Sequence, residues 1–150
     1  MGNSQGGPAV HFVAAAASGG AHVVNLVSVA GTVSFAPAGA YAASKHAQLA
    51  FSRSTAALLR GTGIDVHTIM PGFVETEGFP QANVLSSPVM RRFVIGPDKV
   101  ATRIVEAVEK GKREVTVPWF PYRPISIVQA LAPGLIARFA GMSDYKPGSV

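Results

Sequence analysis

The chain has 150 residues, 48% hydrophobic and 14% charged, enough for one domain that buries roughly 68–70% of its unfolded surface. It contains no cysteine, which excludes a disulfide framework, a thiolate nucleophile and a thiolate metal site, and is in keeping with a reducing cytoplasm. The net charge is +5, but the 13 Lys and Arg are scattered outside 91–92 and 110–113 and no aromatic residues interleave with them, so they read as solvated surface and not as a nucleic-acid footprint.

Residues 1–8 are rich in Gly, Asn, Ser and Gln and read as a loose terminus. The stretch 8–18 reads as a short helix, with Pro8 suited to its first turn and Gly19-Gly20 ending it. No basic residue precedes the apolar run 10–17, so it does not read as a signal peptide. Residues 21–28 form a strand, because His22-Val23-Val24-Asn25-Leu26-Val27 is a short β-branched apolar run suited to burial on both faces of a parallel sheet.

A loop with Gly31, Pro37 and Gly39 leads to a long helix over 40–60, ended by Gly61 and Gly63. Ala43, Ala47, Ala50, Ser54 and Ala57 form a stripe of small side chains along it, which allows close approach of another helix or a sheet. Residues 64–70 form a second strand, broken by Pro71-Gly72. The long segment 73–96 is a loop of the length that usually serves function. Residues 97–110 read as an amphipathic helix, with Val100, Ile104, Val105 and Val108 on one face. A third strand covers 114–117, and 123–140 is an apolar helical segment interrupted at Pro133-Gly134. Residues 141–150 read as a flexible tail. No run of about 18 uncharged apolar residues predicts a membrane span.

This alternation predicts an α/β fold: a parallel sheet of about three strands flanked by helices, in a partial Rossmann-like three-layer arrangement within a single domain.

Chemistry concentrates in Tyr41-Ala42-Ala43-Ser44-Lys45, with Ser28 standing 13 residues upstream of the tyrosine. A free tyrosine has a pKa near ~10 and is a poor base at neutral pH. A lysine four residues later lies on the same helix face, where its ammonium favours the phenolate. A serine hydroxyl can hold the substrate oxygen. The four histidines do not fall in metal-ligand spacing, and no G-x-S-x-G elbow supports a hydrolytic triad, so no metal site is expected.

Three blocks, Asn25-Leu26-Val27-Ser28-Val29-Ala30-Gly31, Tyr41 to Lys45, and Pro71-Gly72-Phe73-Val74-Glu75-Thr76, stand in an order and spacing that resembles the short-chain dehydrogenase/reductase family. The resemblance implies an NAD(P)-dependent alcohol dehydrogenase or ketoreductase, using NADP or NAD on a small carbonyl or alcohol. Tyr41 would be the general acid or base. Lys45 would assist it and bind the nicotinamide ribose, and Ser28 would hold the substrate oxygen. Pro71, Gly72, Val74 and Thr76 would lie along the nicotinamide. Asn3, in an N-x-x-G pattern 25 residues before Ser28 and a few short of the family's spacing, is the fourth catalytic candidate.

The family's glycine-rich turn between a first strand and helix, which cradles the pyrophosphate, has no counterpart in this sequence. The expectation is therefore of the catalytic half of the family's domain, with the dinucleotide-binding half missing. An innermost strand without its neighbour would be left exposed. The alternative is an inactive fragment that acts by pairing with another chain. In the full-length family, the helix at 40–60 implies homo-oligomer contact. The apolar side chains Phe73, Phe79, Val84, Leu85, Val89, Met90 and Phe93 suggest an apolar substrate. The segment from 97 to 118 also resembles a subgroup some of whose members act on lipid-like carbonyls, and 125–139 is apolar enough for a weak membrane contact.

Overall fold

The computed structural model describes residues 15–17, 20–34, 38–75, 91 and 93–140. Its centre is a four-stranded sheet in the order β1-β2-β3-β4: β1 (Ala15–Ala17), β2 (Gly20–Leu26), β3 (Ile64–Pro71) and β4 (Glu114–Val117). The three strands expected from sequence run parallel, with Val23 opposite Val66 and Ile69 opposite Val115. Helix α1 (Gly39–Leu58) links β2 to β3, α2 (Pro97–Glu109) precedes β4, and α3 (Tyr122–Leu131) and α4 (Pro133–Ala140) close the described chain.

The two faces of the sheet carry different cores because side chains alternate along each strand. Val24 and Ile69 join Val100 and Ala107 of α2, with Ile95 and Val117, in the larger cluster. Val27 and Met70 pack on Leu49 of α1 on the other face. Ile69 is fully buried, a burial that contributes about 1.5–3 kcal/mol. Polar groups also bind α1 to the sheet. Asn25 donates to the Ser52 hydroxyl at 2.8 Å, and Ser52 lies 2.6 Å from the Thr68 hydroxyl.

At the N-terminal end of the strands, His67 is buried between the Lys112 carbonyl at 2.8 Å and the His22 ring at 3.0 Å. His46 is exposed and its ring nitrogen lies 2.8 Å from the Ala42 carbonyl. Each of these three histidines has a hydrogen-bond partner within the fold, and His11 lies outside the described residues.

The sequence-based helix over 8–18 is corrected where it can be seen. Ala15–Ala17 is a strand, paired antiparallel with Gly20–His22. Alanine favours helix intrinsically, but the backbone groups along the edge of β2 need partners, and tertiary pairing overrides that propensity. The inner strand is thus partly covered where an open edge was expected. The small-residue stripe also faces outward: Ala43, Ala47, Ala50, Ser54 and Ala57 are exposed, whereas Ala42, Gln48, Leu49 and Ser52 face the sheet. Gly61 and Gly63 end the helix region with φ of 82° and 81°, where a side chain would be strained.

Candidate active site

Parallel α/β sheets present their ligand crevices beyond the carboxyl ends of the strands. Here Leu26 lies opposite Ile69, so Ser28 and Pro71, each two residues further on, emerge at the same end of the sheet. Helix α1 packs against the Val29–Gly31 turn that follows β2, and Tyr41 sits in its first turn.

Ser28 is extended backbone at the start of a 3-10 turn, Val29–Gly31. Its hydroxyl oxygen accepts a hydrogen bond from the Ala30 N–H at 3.2 Å, which leaves the hydroxyl proton free to donate. This turn is pressed against α1. A Cβ placed on Gly31 would lie 2.8 Å from the Lys45 carbonyl oxygen, so glycine is what permits the approach. Close packing therefore fixes the serine turn against the helical turn that carries the lysine.

The Lys45 ammonium lies 5.7 Å from the centre of the Tyr41 ring, within cation–π range. Tyr41 is 47% exposed, so its ring is open to a ligand. Lys45 is partly buried, and that desolvation lowers its pKa from the ordinary lysine value. Its ammonium donates to the Gln48 side-chain carbonyl at 2.9 Å, and the Gln48 amide donates to the Leu26 carbonyl at 3.3 Å. Ser44 donates to the Tyr41 carbonyl at 2.7 Å and stays on the helix surface.

Beyond β3, the Gly72 N–H is taken by the Val117 carbonyl at 2.8 Å and the Glu75 N–H by the Ile95 carbonyl at 3.0 Å. Val74 bridges Ile95, and its side chain packs on the core. A Cβ on Gly72 would run into the Tyr122 ring. Tyr122 is buried, stacks edge-on against Phe73 at 6.4 Å, and has its hydroxyl pKa raised by that burial. Helix α3 also meets the serine loop, with the Thr32 and Ser126 hydroxyls 2.8 Å apart.

The structure thus brings Tyr41 and Lys45 together, sets the Ser28 turn on Lys45, and places Pro71 and Gly72 at the same sheet end. Asn3 and Thr76 lie outside the described residues. Sequence reasoning missed Gln48 and Tyr122. A glutamine three residues after the lysine was a visible signal for the first. Nothing local pointed to the second, because it meets Gly72 from 50 residues away.

The donors present, the Tyr41 hydroxyl and the Lys45 ammonium, have the chemistry to meet the ribose hydroxyls of a nicotinamide nucleotide. The spent N–H groups of Gly72 and Glu75 cannot serve such a ligand without rearranging. Among the described residues no cluster of His, Asp or Glu could hold a metal ion. No described helix is long and apolar enough to cross a membrane.

A sequence model for short chain dehydrogenases matches residues 9–84, about half of the chain. The chain is 46% identical over 68 residues to 1-deoxy-11-beta-hydroxypentalenate dehydrogenase of Streptomyces exfoliatus, covering 45% of this chain and 24% of that protein. It is 30% identical over 125 residues to dehydrogenase/reductase SDR family member 7B of Rattus norvegicus, covering 78% of this chain and 38% of that one. Among solved structures it resembles a short chain dehydrogenase from Burkholderia cenocepacia in complex with NADP. The TM-score is 0.65 at 22% identity, over 81% of this chain and 47% of the other. The chain spans less than half the length of these relatives.

Proposed function

Because this chain belongs to the short-chain dehydrogenase family, we propose that it carries the proton-handling site of an NAD(P)-dependent oxidoreductase. Its substrate would be a small carbonyl or alcohol, as in an alcohol dehydrogenase or ketoreductase. The relatives' complexes with NADP, NAD and NADPH support the cofactor class.

The nicotinamide, when bound, supplies or accepts the hydride at the substrate carbon. The chain's own residues do the rest. Tyr41 donates its hydroxyl proton to the carbonyl oxygen in reduction and takes a proton from the alcohol in oxidation. Ser28 donates its remaining hydroxyl proton to the same oxygen and steadies the charge that develops there. Lys45 keeps positive charge beside the tyrosine and offers its other N–H groups to the ribose. Pro71 and Gly72, with Val74 and Thr76, are the residues that would border the nicotinamide. Asn3, outside the described residues, would extend the proton path. The apolar composition of 73–96 supports an apolar substrate. In the same reading the exposed Ala43, Ala47 and Ala50 form a self-association surface.

The observation that carries this reading is the Lys45 ammonium over the Tyr41 ring, with the Ser28 turn packed on Lys45's own backbone. The test is a panel of apolar ketones followed by NADPH and NADH absorbance with wild type, Tyr41→Phe and Ser28→Ala. Turnover that collapses in both variants supports the reading, and turnover indifferent to Tyr41→Phe contradicts it. A folded chain without turnover favours an inactive chain that acts by pairing.

A further inference from the structure

We propose that Gln48 is the positioning residue of the catalytic lysine: its side-chain amide holds the Lys45 ammonium and anchors it to the strand that leads into Ser28. The inference rests on the oxidoreductase reading for its functional meaning and on geometry for its substance.

Gln48 is 7% exposed, on the face of α1 that meets the sheet. Its carbonyl oxygen accepts from the Lys45 ammonium at 2.9 Å, and its NH₂ donates to the Leu26 carbonyl at 3.3 Å. An ammonium can only donate and a backbone carbonyl can only accept, so the two partners fix which way the amide points. The Leu26 carbonyl is available for a simple reason. The Val27 N–H bonds to the Ile69 carbonyl in β3, so the groups of the preceding residue point to the opposite edge. One amide therefore links the lysine of α1 to β2, two residues before Ser28.

The choice of an amide has a chemical consequence. A lysine stem is long and rotatable, and a buried acceptor removes much of that freedom before any ligand arrives. A neutral acceptor does so without cancelling the charge. A carboxylate at 48 would form an ion pair and neutralise the field that Lys45 exerts on Tyr41. A hydrocarbon at 48 would leave the ammonium partly desolvated and unheld. Among the described residues, the strands beneath α1 bring no rival charge to Lys45. Residues 23–31, the stretch of β2 and its following turn that runs beneath α1, carry no ionisable side chain. On β3, Asp65 is exposed, and His67 is engaged by Lys112 and His22. Among the described residues, Tyr41 is the ionisable side chain in contact with the Lys45 ammonium, and the adjacent His46 is turned to the Ala42 carbonyl.

The experiment is an NMR pH titration of lysine ε-methylene signals in the 150-residue chain, for wild type, Gln48→Glu and Gln48→Met. A Lys45→Arg sample identifies the Lys45 signal among the lysines. Gln48→Glu is expected to raise the Lys45 midpoint by about one pH unit or more, and Gln48→Met to lower it. Coincident midpoints in folded proteins overturn the proposal. Wild type alone provides a second reading: nuclear Overhauser contact between the Lys45 ε-methylene and the Gln48 amide is expected, and its absence overturns the proposal whether or not a variant folds. All of this is read without nucleotide. Shifted midpoints in a chain that binds no NADPH or NADH would uphold Gln48's hold on the lysine while refuting the oxidoreductase reading.

Discussion

Gly31 and Lys45 touch backbone to backbone: a Cβ on Gly31 would stand 2.8 Å from the Lys45 carbonyl oxygen and 3.0 Å from a Val27 methyl. The Lys45 carbonyl is backbone and cannot rotate away as a side chain would. The serine turn and the lysine turn are therefore one packed unit, and the 5.7 Å separation of the Lys45 ammonium from the Tyr41 ring is set inside it.

Gly31→Ala should push the 3-10 turn off α1. We expect a loss of about 1–3 kcal/mol in urea unfolding. Amide shifts should concentrate at 28–32 and 42–46. A neutral substitution with unmoved amides would mean that the two turns are not in contact.

Tyr41→Phe keeps the ring and removes the proton. Any carbonyl reduction should fall by about 10²–10⁴, the range typical of a lost general acid. Stability should hardly change, because Tyr41 is half exposed. Steady-state kinetics and thermal unfolding on the same sample separate the two effects.

Gly72 and Tyr122 compete for the same space, so their substitutions should not add. Gly72→Ala alone forces a methyl into the buried ring, and Tyr122→Ala alone leaves a cavity that costs about 3–5 kcal/mol. In the double variant the methyl finds room, and the combined loss should be smaller than the sum of the two. Chemical denaturation of the four proteins in the cycle measures this coupling.

Glu114 receives a two-pronged hydrogen bond from Arg53, at 2.6 and 3.0 Å, with Arg123 at 3.9 Å. The Arg53 hydrogen bonds lower its pKa below the ordinary glutamate value, against the opposing effect of burial. A lowered folded-state pKa adds stability above the unfolded pKa, and that stability is lost as pH falls through the folded value. The contribution should thus be present at neutral pH and disappear below roughly pH 4. It should amount to at most about 1 kcal/mol, because water screens the half-exposed arginine. Unfolding free energy measured from pH 7 to 3 should fall less steeply for Glu114→Gln than for wild type.

The elements legible in the sequence were those whose signal is local. Helix 40–60, the strands at 64–70 and 114–117 and the stop at Gly61 and Gly63 follow from periodicity and glycine. The Tyr41–Lys45 pair follows from helical spacing alone. What escaped depends on partners distant in sequence. Ala15–Ala17 is a strand because β2 offers it an edge, which no alanine run announces. The outward direction of Ala43, Ala47 and Ala50 depends on which face of α1 meets the sheet, and Gln48, Leu49 and Ser52 decide that by packing on it. Tyr122 reaches Gly72 only through the fold.

The proposed role of Lys45 and Tyr41 is to form the nicotinamide-ribose end of a working cofactor site. It is tested most directly by fluorescence titration of the purified chain with NADPH and NADH, beside Tyr41→Phe and Lys45→Ala. Saturable binding is expected, weakening sharply in Lys45→Ala and persisting in Tyr41→Phe. A folded chain that binds neither nucleotide, or binds equally well without the lysine, would contradict it.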